Sequence, residues 1–340
     1  MEFHLSGKLS PRNADCREHR LTASMQPTHP TGMPSPGRLF RDRRALPRPE
    51  PGTAQPSEAD LPLGETLRRH WPEYAVEALF LALFVLTAGV VSAWLEVGSG
   101  SGSGSVARRV LAGIVVGATV AALIYSPWGR RSGAHMNPAI TLAYLRLGKI
   151  GRWDALFYLL AQLAGGAAAV LLLRTGMPSL LPPATPPSML SGSIGPTNEW
   201  AAFLTEFVLA ASAMLMILFT TNHASWFRGT GILYGLLIAA IVACAGPLSN
   251  FGMNPARLLA VDLSAGLARA NWLNLLPPFL GALAAVEIYR LLAGRHDVLC
   301  AKLAHNTHGR CIFRCQHPYQ SRALALAAIH RQVADSSLSP

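Results

Sequence analysis

One tripeptide occurs twice in the sequence, as Asn137-Pro138-Ala139 and as Asn254-Pro255-Ala256, each time between long apolar stretches. Asparagine followed by proline favours a helix start, because the asparagine side chain caps free backbone N–H groups and proline needs no N–H at the first helical position. About two turns of apolar helix follow each motif, which is too short to cross a bilayer. Two such half-helices at matching places predict a site at the midplane of a membrane.

The composition also indicates a membrane protein. Hydrophobic residues make up 51% of the 340 residues and charged residues only 14%, with a mean hydropathy of +0.30, whereas about a quarter of the residues of a soluble domain are charged. The net charge of +11 comes from basic residues scattered among proline and serine, without an aromatic stacking surface, so nucleic-acid binding is not indicated. The first 25 residues contain no apolar segment that would predict a cleavable signal peptide.

Apolar segments of membrane-spanning length occur six times. They cover about residues 74–95, 106–125, 153–173, 200–220, 231–246 and 272–292. The predicted fold is an all-α membrane protein with six transmembrane helices and two re-entrant half-helices. Residues 1–70, rich in Pro, Arg and Ser, are predicted to be a disordered cytoplasmic tail. Residues 295–340 are predicted to be a cytoplasmic tail that contains Cys and His.

The predicted channel domain, residues 72–294, consists of two matching halves at about 72–174 and 198–294. A glycine lies 20 residues before Asn137 and another 19 residues before Asn254, and each half has one glutamate in its first span. The glycines are Gly117 and Gly235, and the glutamates are Glu77 and Glu206. Because each half has three spans, the second half enters the membrane from the opposite side. The repeat is therefore predicted to be inverted.

The basic residues between the spans favour one orientation. More of them lie on the side of the two termini than on the other side, and the side with the excess is normally cytoplasmic. On the side of the termini lie Arg68, Arg69, Arg130, Arg131, Lys149, Arg152, Arg228, Arg295 and Lys302. The opposite side has Arg108, Arg109, Arg174 and Arg269. Both termini are therefore predicted to be cytoplasmic.

The paired motifs resemble those of the aquaporin and aquaglyceroporin family, the major intrinsic proteins. The stretch Ser-Gly-Ala-His before Asn137, the arginine after the second motif (Arg257) and one glutamate in each opening helix fit the same pattern. The resemblance covers about residues 72–294. It implies a homotetramer in the plasma (inner) membrane, in which each subunit has its own pore.

The resemblance also implies a role for individual residues in the pore. Asn137 and Asn254 would donate N–H groups to a passing oxygen, while the half-helix dipoles repel cations. Arg257 would line a narrow filter on the extracellular side. By spacing, the other filter positions are Val242, which lies 12 residues before Asn254, then Phe251, and either Val116 or Gly117 in the second span.

This filter differs from that of strict water channels, which usually have His at the position of Val242 and a bulky aromatic residue in the second span. A wider and more apolar constriction lowers the barrier for solutes larger than water. Phe251 resembles the glycerol-conducting members, whereas Leu258 and Asp262 replace the Asp and Lys that those members carry after the motif arginine. The expected substrates are water and small neutral solutes, namely glycerol, urea, hydrogen peroxide, ammonia or undissociated metalloid acids.

Four further polar residues of the apolar region are predicted to support the re-entrant loops. They are Glu77, Glu206, His135 and Gln162. An intramembrane glutamate has two interpretations. Either it accepts hydrogen bonds from the loop backbone, which the resemblance favours, or it relays protons in a coupled secondary transporter.

The C-terminal tail combines thiols and imidazoles. It contains Cys300, His305, His308, Cys311 and Cys315. These are ligands of tetrahedral zinc sites, although the spacing fits no standard zinc finger. Reduced cytosolic thiols are the alternative, which the sequence favours. Bound metal would make this a regulatory tail beneath the pore.

Three functions remain. A passive channel explains the paired half-helices, Arg257 and the inverted repeat together. A secondary transporter would share the inverted repeat and the intramembrane glutamates, and a membrane-anchored metal-sensing module would depend on the tail alone. No nucleophile–base pair or phosphate loop occurs in the spans, so an enzyme is not indicated. The channel is predicted, without a cofactor unless zinc binds in the tail.

Overall fold

The structure is a computed structural model that describes residues 58–97, 106–177, 199–223, 225–244, 253–264, 272–293, 298–305 and 310–316. Within these ranges every regular element is a helix and there is no strand. The α-helices are α1 (Leu63–Val97), α2 (Val106–Tyr125), α3 (Pro127–Ser132), α4 (Pro138–Arg146), α5 (Arg152–Gly176), α6 (Glu199–Thr221), α7 (Thr230–Cys244), α8 (Pro255–Ser264) and α9 (Trp272–Ala293).

The predicted all-α membrane fold is confirmed. Six of the described helices are long and apolar enough to cross a membrane, namely α1, α2, α5, α6, α7 and α9. The helices that follow the two Asn-Pro-Ala motifs, α4 and α8, have 9 and 10 residues and are half-helices. Each half-helix comes after the second span of its half.

Glycines allow the spans within each half to approach closely. Helix α1 packs on α5, and α6 packs on α9 in the same way. A Cβ atom at Gly165 of α5 would overlap the carbonyl oxygen of Ala78 in α1, and one at Gly281 of α9 would overlap the carbonyl oxygen of Phe207 in α6. Ala78 and Phe207 each follow the glutamate of their half directly. The two contacts are therefore equivalent positions of an internal repeat.

The two halves meet where α2 crosses α7, at Gly117 and Gly235. The carbonyl oxygen of Gly235 fills the space that a Cβ at Gly117 would need, and the carbonyl oxygen of Gly117 lies 2.6 Å from a Cβ placed at Gly235. Close approach of two helices requires small residues at such a crossing. The contact is reciprocal, as expected at a local twofold axis between equivalent halves.

The outer faces of the spans are apolar. Large exposed side chains on these faces include Leu83, Ile114, Leu171, Leu204 and Leu236. Soluble proteins rarely expose a large contiguous apolar surface of this kind. These faces match the acyl chains of a bilayer.

The folded part of the chain begins earlier than the sequence predicts. Residues 58–70, predicted to belong to the disordered tail, are folded, and α1 begins at Leu63. The ring of His70 is buried, and its Nδ1 atom lies 2.7 Å from Oδ1 of Asp154. This corrects the predicted boundary at residue 70, because polar contacts rather than an apolar stripe hold the first turns of α1. Residues 1–57 lie outside the described part of the chain.

The C-terminal segment packs against the spans. In its described parts, 298–305 and 310–316, the side chains of Leu303, Ile312 and Phe313 are buried in the main hydrophobic core. The hydrophobic core of the channel therefore includes residues beyond 294, the predicted end of the channel domain.

Candidate pore site

Both half-helices are capped by the asparagine of their motif. Oδ1 of Asn137 accepts a hydrogen bond from the backbone N–H of Ala139 at 2.9 Å. Oδ1 of Asn254 accepts from the N–H groups of Ala256 at 3.2 Å and Arg257 at 3.4 Å. In both motifs proline occupies the first helical position, as predicted from its missing N–H.

The N-terminal tips of α4 and α8 meet through their asparagine side chains. Nδ2 of Asn137 donates to the carbonyl oxygen of Met253 at 2.8 Å, and Nδ2 of Asn254 donates to that of Met136 at 2.5 Å. Each cap therefore also bonds the loop of the opposite half. The positive ends of two helix dipoles are brought to one place.

We expect Asn137→Ala to cost about 2–3 kcal/mol of unfolding free energy, because it removes a helix cap and also leaves the buried Met253 carbonyl without its donor. Thermal unfolding in detergent measures the loss. The control is Ser126→Ala, which removes the cap of α3, a bond from Gly129 N–H to Ser126 Oγ of 2.9 Å, and no bond between halves. Equal losses in the two variants would show that the crossed bond contributes nothing.

The loop before Asn137 has an unusual backbone. Ala134 and Met136 have φ angles of +56° and +49°, in the left-handed region that side chains other than glycine rarely adopt. Such a conformation costs about 1–3 kcal/mol per residue and persists only when its surroundings hold it. Met136, one of these two residues, is the residue whose carbonyl oxygen accepts the hydrogen bond from Asn254.

A single buried carboxylate holds this loop. Oε1 of Glu77 accepts from Ser132 Oγ at 2.8 Å and from His135 N–H at 3.1 Å. Oε2 accepts from Met136 N–H at 2.7 Å and from Gln162 Nε2 at 3.0 Å. All four donors therefore converge on one side chain of α1. Two of them are backbone N–H groups, that of the left-handed Met136 and that of His135, which lies between the two left-handed residues.

His135 links the loop to α4 and to the C-terminal segment. Its Nε2 atom lies 2.8 Å from the carbonyl oxygen of Ala301, which can only accept, so Nε2 carries the proton. Nδ1 lies 3.1 Å from Thr141 Oγ1 in α4. The ring stacks between Tyr144 and Phe313, with centroids 5.1 and 5.6 Å away. The imidazole is thus held on both faces and on both nitrogens.

The structure describes four of the five filter candidates, and they lie in different surroundings. Gly117 lies at the crossing with Gly235, so a side chain there would point between two helices rather than into a channel. Its neighbour Val116 is buried in the core, and Val242 is half-buried. Arg257 is buried at the start of α8. Phe251 lies outside the described residues.

The structure describes all but one of the remaining predicted site residues. Glu206 is buried in α6, and the loop that it is predicted to support, residues 245–252, lies outside the described chain. Cys300, His305, Cys311 and Cys315 come together, with ligand atoms within 4.8 Å of one another. His308 lies outside the described residues.

Several polar partners were missed from the sequence. Thr141 bonds His135 and lies 3.4 Å from Gln162, and Tyr158 donates to the Ser132 carbonyl at 2.5 Å. No periodicity in the sequence singles out these residues. Ser132, which bonds Glu77, belongs to the Ser-Gly-Ala-His stretch, and its place in that stretch could have identified it as a loop partner of Glu77.

The sequence profile of the family described as Major intrinsic protein matches residues 68–289, more than half of the chain. The chain belongs to the major intrinsic protein family. Aquaporin A of Dictyostelium discoideum is 34% identical over 205 residues, which is 57% of this chain and 70% of that protein. The probable aquaporin TIP4-1 of Oryza sativa subsp. japonica is 31% identical over 222 residues, 64% of this chain and 86% of that protein.

The X-ray structure of the aquaglyceroporin from Plasmodium falciparum is similar in fold, with a TM-score of 0.53 and 19% sequence identity, covering 65% of this chain and 95% of that one. As a major intrinsic protein with six apolar helices in its described part, the chain is a multi-pass membrane channel for water or small solutes. Family members of this kind are channels and not enzymes.

Proposed function

We propose that the chain is a passive channel for water and small neutral solutes, which pass the point where α4 and α8 meet. The crossed hydrogen bonds from Asn137 to Met253 and from Asn254 to Met136 carry this proposal. They bring two helix N-termini together, each with about half a positive charge. Cations are repelled by this field, while neutral molecules are not.

The same two amides exclude protons. An asparagine amide has two N–H groups, and one in each of Asn137 and Asn254 is used by the methionine carbonyl of the opposite half. The second N–H of each amide donates to the oxygen of a passing molecule. A water held in this way is turned away from its neighbours, so hydrogen-bonded proton transfer along the water chain is interrupted.

We assign the selectivity filter to Val116, Val242, Phe251 and Arg257. The reciprocal contact of Gly117 with Gly235 supports Val116 as the second-span position. Two valines leave a wider and more apolar constriction than a histidine with a large aromatic would. The solutes that fit are glycerol, urea, hydrogen peroxide, ammonia and undissociated metalloid acids, in addition to water.

The hydrogen bonds of Glu77 argue for a channel over a proton-coupled transporter. Both of its carboxylate oxygens accept from two donors, and two of the four donors are loop amides. A relay residue needs access to water on at least one side in turn, whereas this side chain is buried. We therefore assign Glu77, with Gln162 and His135, to loop support, and Glu206 to the same role in the second half.

We further propose a homotetramer in the plasma (inner) membrane with both termini cytoplasmic. The excess of basic residues at the ends of spans on the side of the termini, such as Arg131 and Lys149, supports this orientation. Native mass spectrometry of the detergent-extracted protein tests the tetramer. Labelling of Lys149 only from the cytoplasmic side tests the orientation.

Stopped-flow light scattering on proteoliposomes tests the function. Vesicles with the protein should shrink faster in sucrose than empty vesicles, and should then re-swell in glycerol or urea. Faster shrinkage without solute entry would restrict the channel to water. Solute flux that saturates and follows an ion gradient would instead show a transporter.

Arg257→Val tests the filter. We expect proton leak, measured with a pH-sensitive dye inside the vesicles, to rise by about tenfold or more, because that factor corresponds to a barrier lowered by about 1.4 kcal/mol. The control is Arg228→Val, which removes the same charge from an exposed residue. Unchanged proton leak and solute size limit in Arg257→Val would remove this arginine from the filter.

A further inference from the structure

The C-terminal segment holds three thiols and one imidazole in a single cluster. The candidate ligand atoms of Cys300, His305, Cys311 and Cys315 all lie within 4.8 Å of one another. Sγ of Cys300 is 3.6 Å from Sγ of Cys311, and Nε2 of His305 is 3.1 Å from Sγ of Cys315. We call these four residues the tail cluster.

These separations fit the ligands of a tetrahedral metal ion. Zn–S bonds of about 2.3 Å in a tetrahedron set the sulfur atoms about 3.8 Å apart, close to the Cys300–Cys311 distance. A disulfide would need about 2.05 Å, and both cysteines are free. Three thiolates and one imidazole are a regular ligand set of structural zinc sites.

The surrounding charges suit a bound zinc ion. Three thiolates and Zn²⁺ have a net charge of −1, and the buried ammonium of Lys302 lies beside the cluster, where its Nζ donates to the Arg310 carbonyl at 2.8 Å.

The tail cluster is placed to fasten the C-terminal segment to the pore loop. Between its first two ligands, Leu303 N–H donates to the Gly133 carbonyl at 3.1 Å, and the Ala301 carbonyl accepts from His135 at 2.8 Å. Between its last two ligands, Phe313 stacks on the His135 ring. Both segments that the metal would join therefore touch the loop before Asn137.

The same segment bonds both halves of the channel. In the second half, Leu299 N–H donates to Oδ1 of Asn222, just after α6, at 2.7 Å. In the first half, Arg314 N–H donates to the carbonyl of Lys149, after α4, at 3.0 Å. The segment consequently bridges the two halves at one end of the spans.

We propose that Cys300, His305, Cys311 and Cys315 bind one zinc ion, which fixes residues 298–305 and 310–316 against the loop that precedes Asn137. The site is independent of which solute the channel conducts.

Metal analysis of the full-length protein, purified in detergent with a reductant, tests the site. We expect about one zinc per chain, and almost none in Cys300→Ser, Cys315→Ser or His305→Ala. Cys244→Ser is the matched control, since Cys244 is an exposed cysteine of α7 outside the cluster. This control should keep the metal, and so should His308→Ala, because the four ligands proposed here already complete a tetrahedral site. Loss of zinc in His308→Ala but not in His305→Ala would overturn the ligand set.

Cobalt(II) added to the metal-free protein identifies the ligands without relying on variants that fold poorly. We expect the strong visible bands and the near-ultraviolet thiolate charge-transfer bands of a tetrahedral cobalt–thiolate site. A weak, octahedral-type spectrum, or a Cys300–Cys311 disulfide in the reduced preparation, would overturn the proposal.

Hydrogen exchange tests the fastening. Removing zinc with a chelator should accelerate amide exchange at Leu303 and Arg314, and in the loop 133–136, by about tenfold or more. Unchanged exchange in this loop, with zinc lost, would leave a metal site that does not fix the pore loop and would refute that half of the proposal.

Discussion

Replacing Glu77 by alanine is expected to cost about 3–5 kcal/mol of unfolding free energy and to abolish most of the water permeability. The variant leaves the N–H groups of His135 and Met136 buried without an acceptor, and each such group costs about 1–3 kcal/mol. The left-handed backbone at Met136 also loses the bond that helps to hold it. Thermal unfolding in detergent and stopped-flow shrinkage of proteoliposomes measure the two effects.

Glu77→Gln separates loop support from proton relay. The glutamine amide keeps one acceptor oxygen, but its NH₂ group replaces the other oxygen and faces donors of the loop. We therefore expect an intermediate loss of unfolding free energy, about 1–3 kcal/mol, with part of the water permeability retained. The matched control is Glu287→Ala, which breaks an exposed ion pair with Arg146 and should cost less than about 1 kcal/mol. A stable Glu77→Gln protein that has lost all transport would favour the relay.

Gly165→Leu is expected to destabilise the channel by more than about 3 kcal/mol, because any Cβ at this position overlaps the backbone of α1 at Ala78. A rigid carbonyl cannot move aside as a flexible side chain does, so α5 must separate from α1. The Glu77 carboxylate, one residue before Ala78, would then move away from Gln162. The yield of folded protein in size-exclusion chromatography and the unfolding temperature measure the loss.

Two further glycines calibrate this result. Gly281→Leu makes the equivalent contact with Phe207 in the second half and should be about as harmful. At Gly64, near the start of α1, a Cβ has no atom within 4 Å, so Gly64→Ala should change the unfolding free energy by less than about 0.5 kcal/mol. If Gly165→Leu folds normally, the helix crossings are looser than these contacts require.

The helices of the membrane region were predictable, because hydropathy and length define spans almost without tertiary information. The second span was predicted at residues 106–125, which are the bounds of α2, and the sixth ends within one residue of α9. The first span was predicted to begin at residue 74, whereas α1 begins at Leu63. Its early turns carry His70 and other polar residues, whose partners lie far away in the sequence.

The chemistry of the motifs was likewise readable from the sequence, since Asn-Pro caps act locally. The sequence does not show which backbone atoms of the opposite half the two asparagine side chains bond. The carbonyl of Met136 is aimed at Asn254 by a left-handed backbone that no composition rule assigns to methionine. Spacing alone leaves Val116 and Gly117 as alternatives for the second-span filter position, and the contact of Gly117 with Gly235 is a tertiary feature that spacing does not predict.

The crossed asparagine bonds set an order on assembly during synthesis. Met253 follows Asn137 by 116 residues, so the first tip leaves the ribosome long before its acceptor exists. Until the second half is made, Asn137 and the Met136 carbonyl both lack the protein partner that they bond in the folded channel. We therefore expect the amino-terminal three spans to remain incompletely bonded until the carboxy-terminal three have been inserted. Two separately translated halves should accordingly recover a pore only when they are made together.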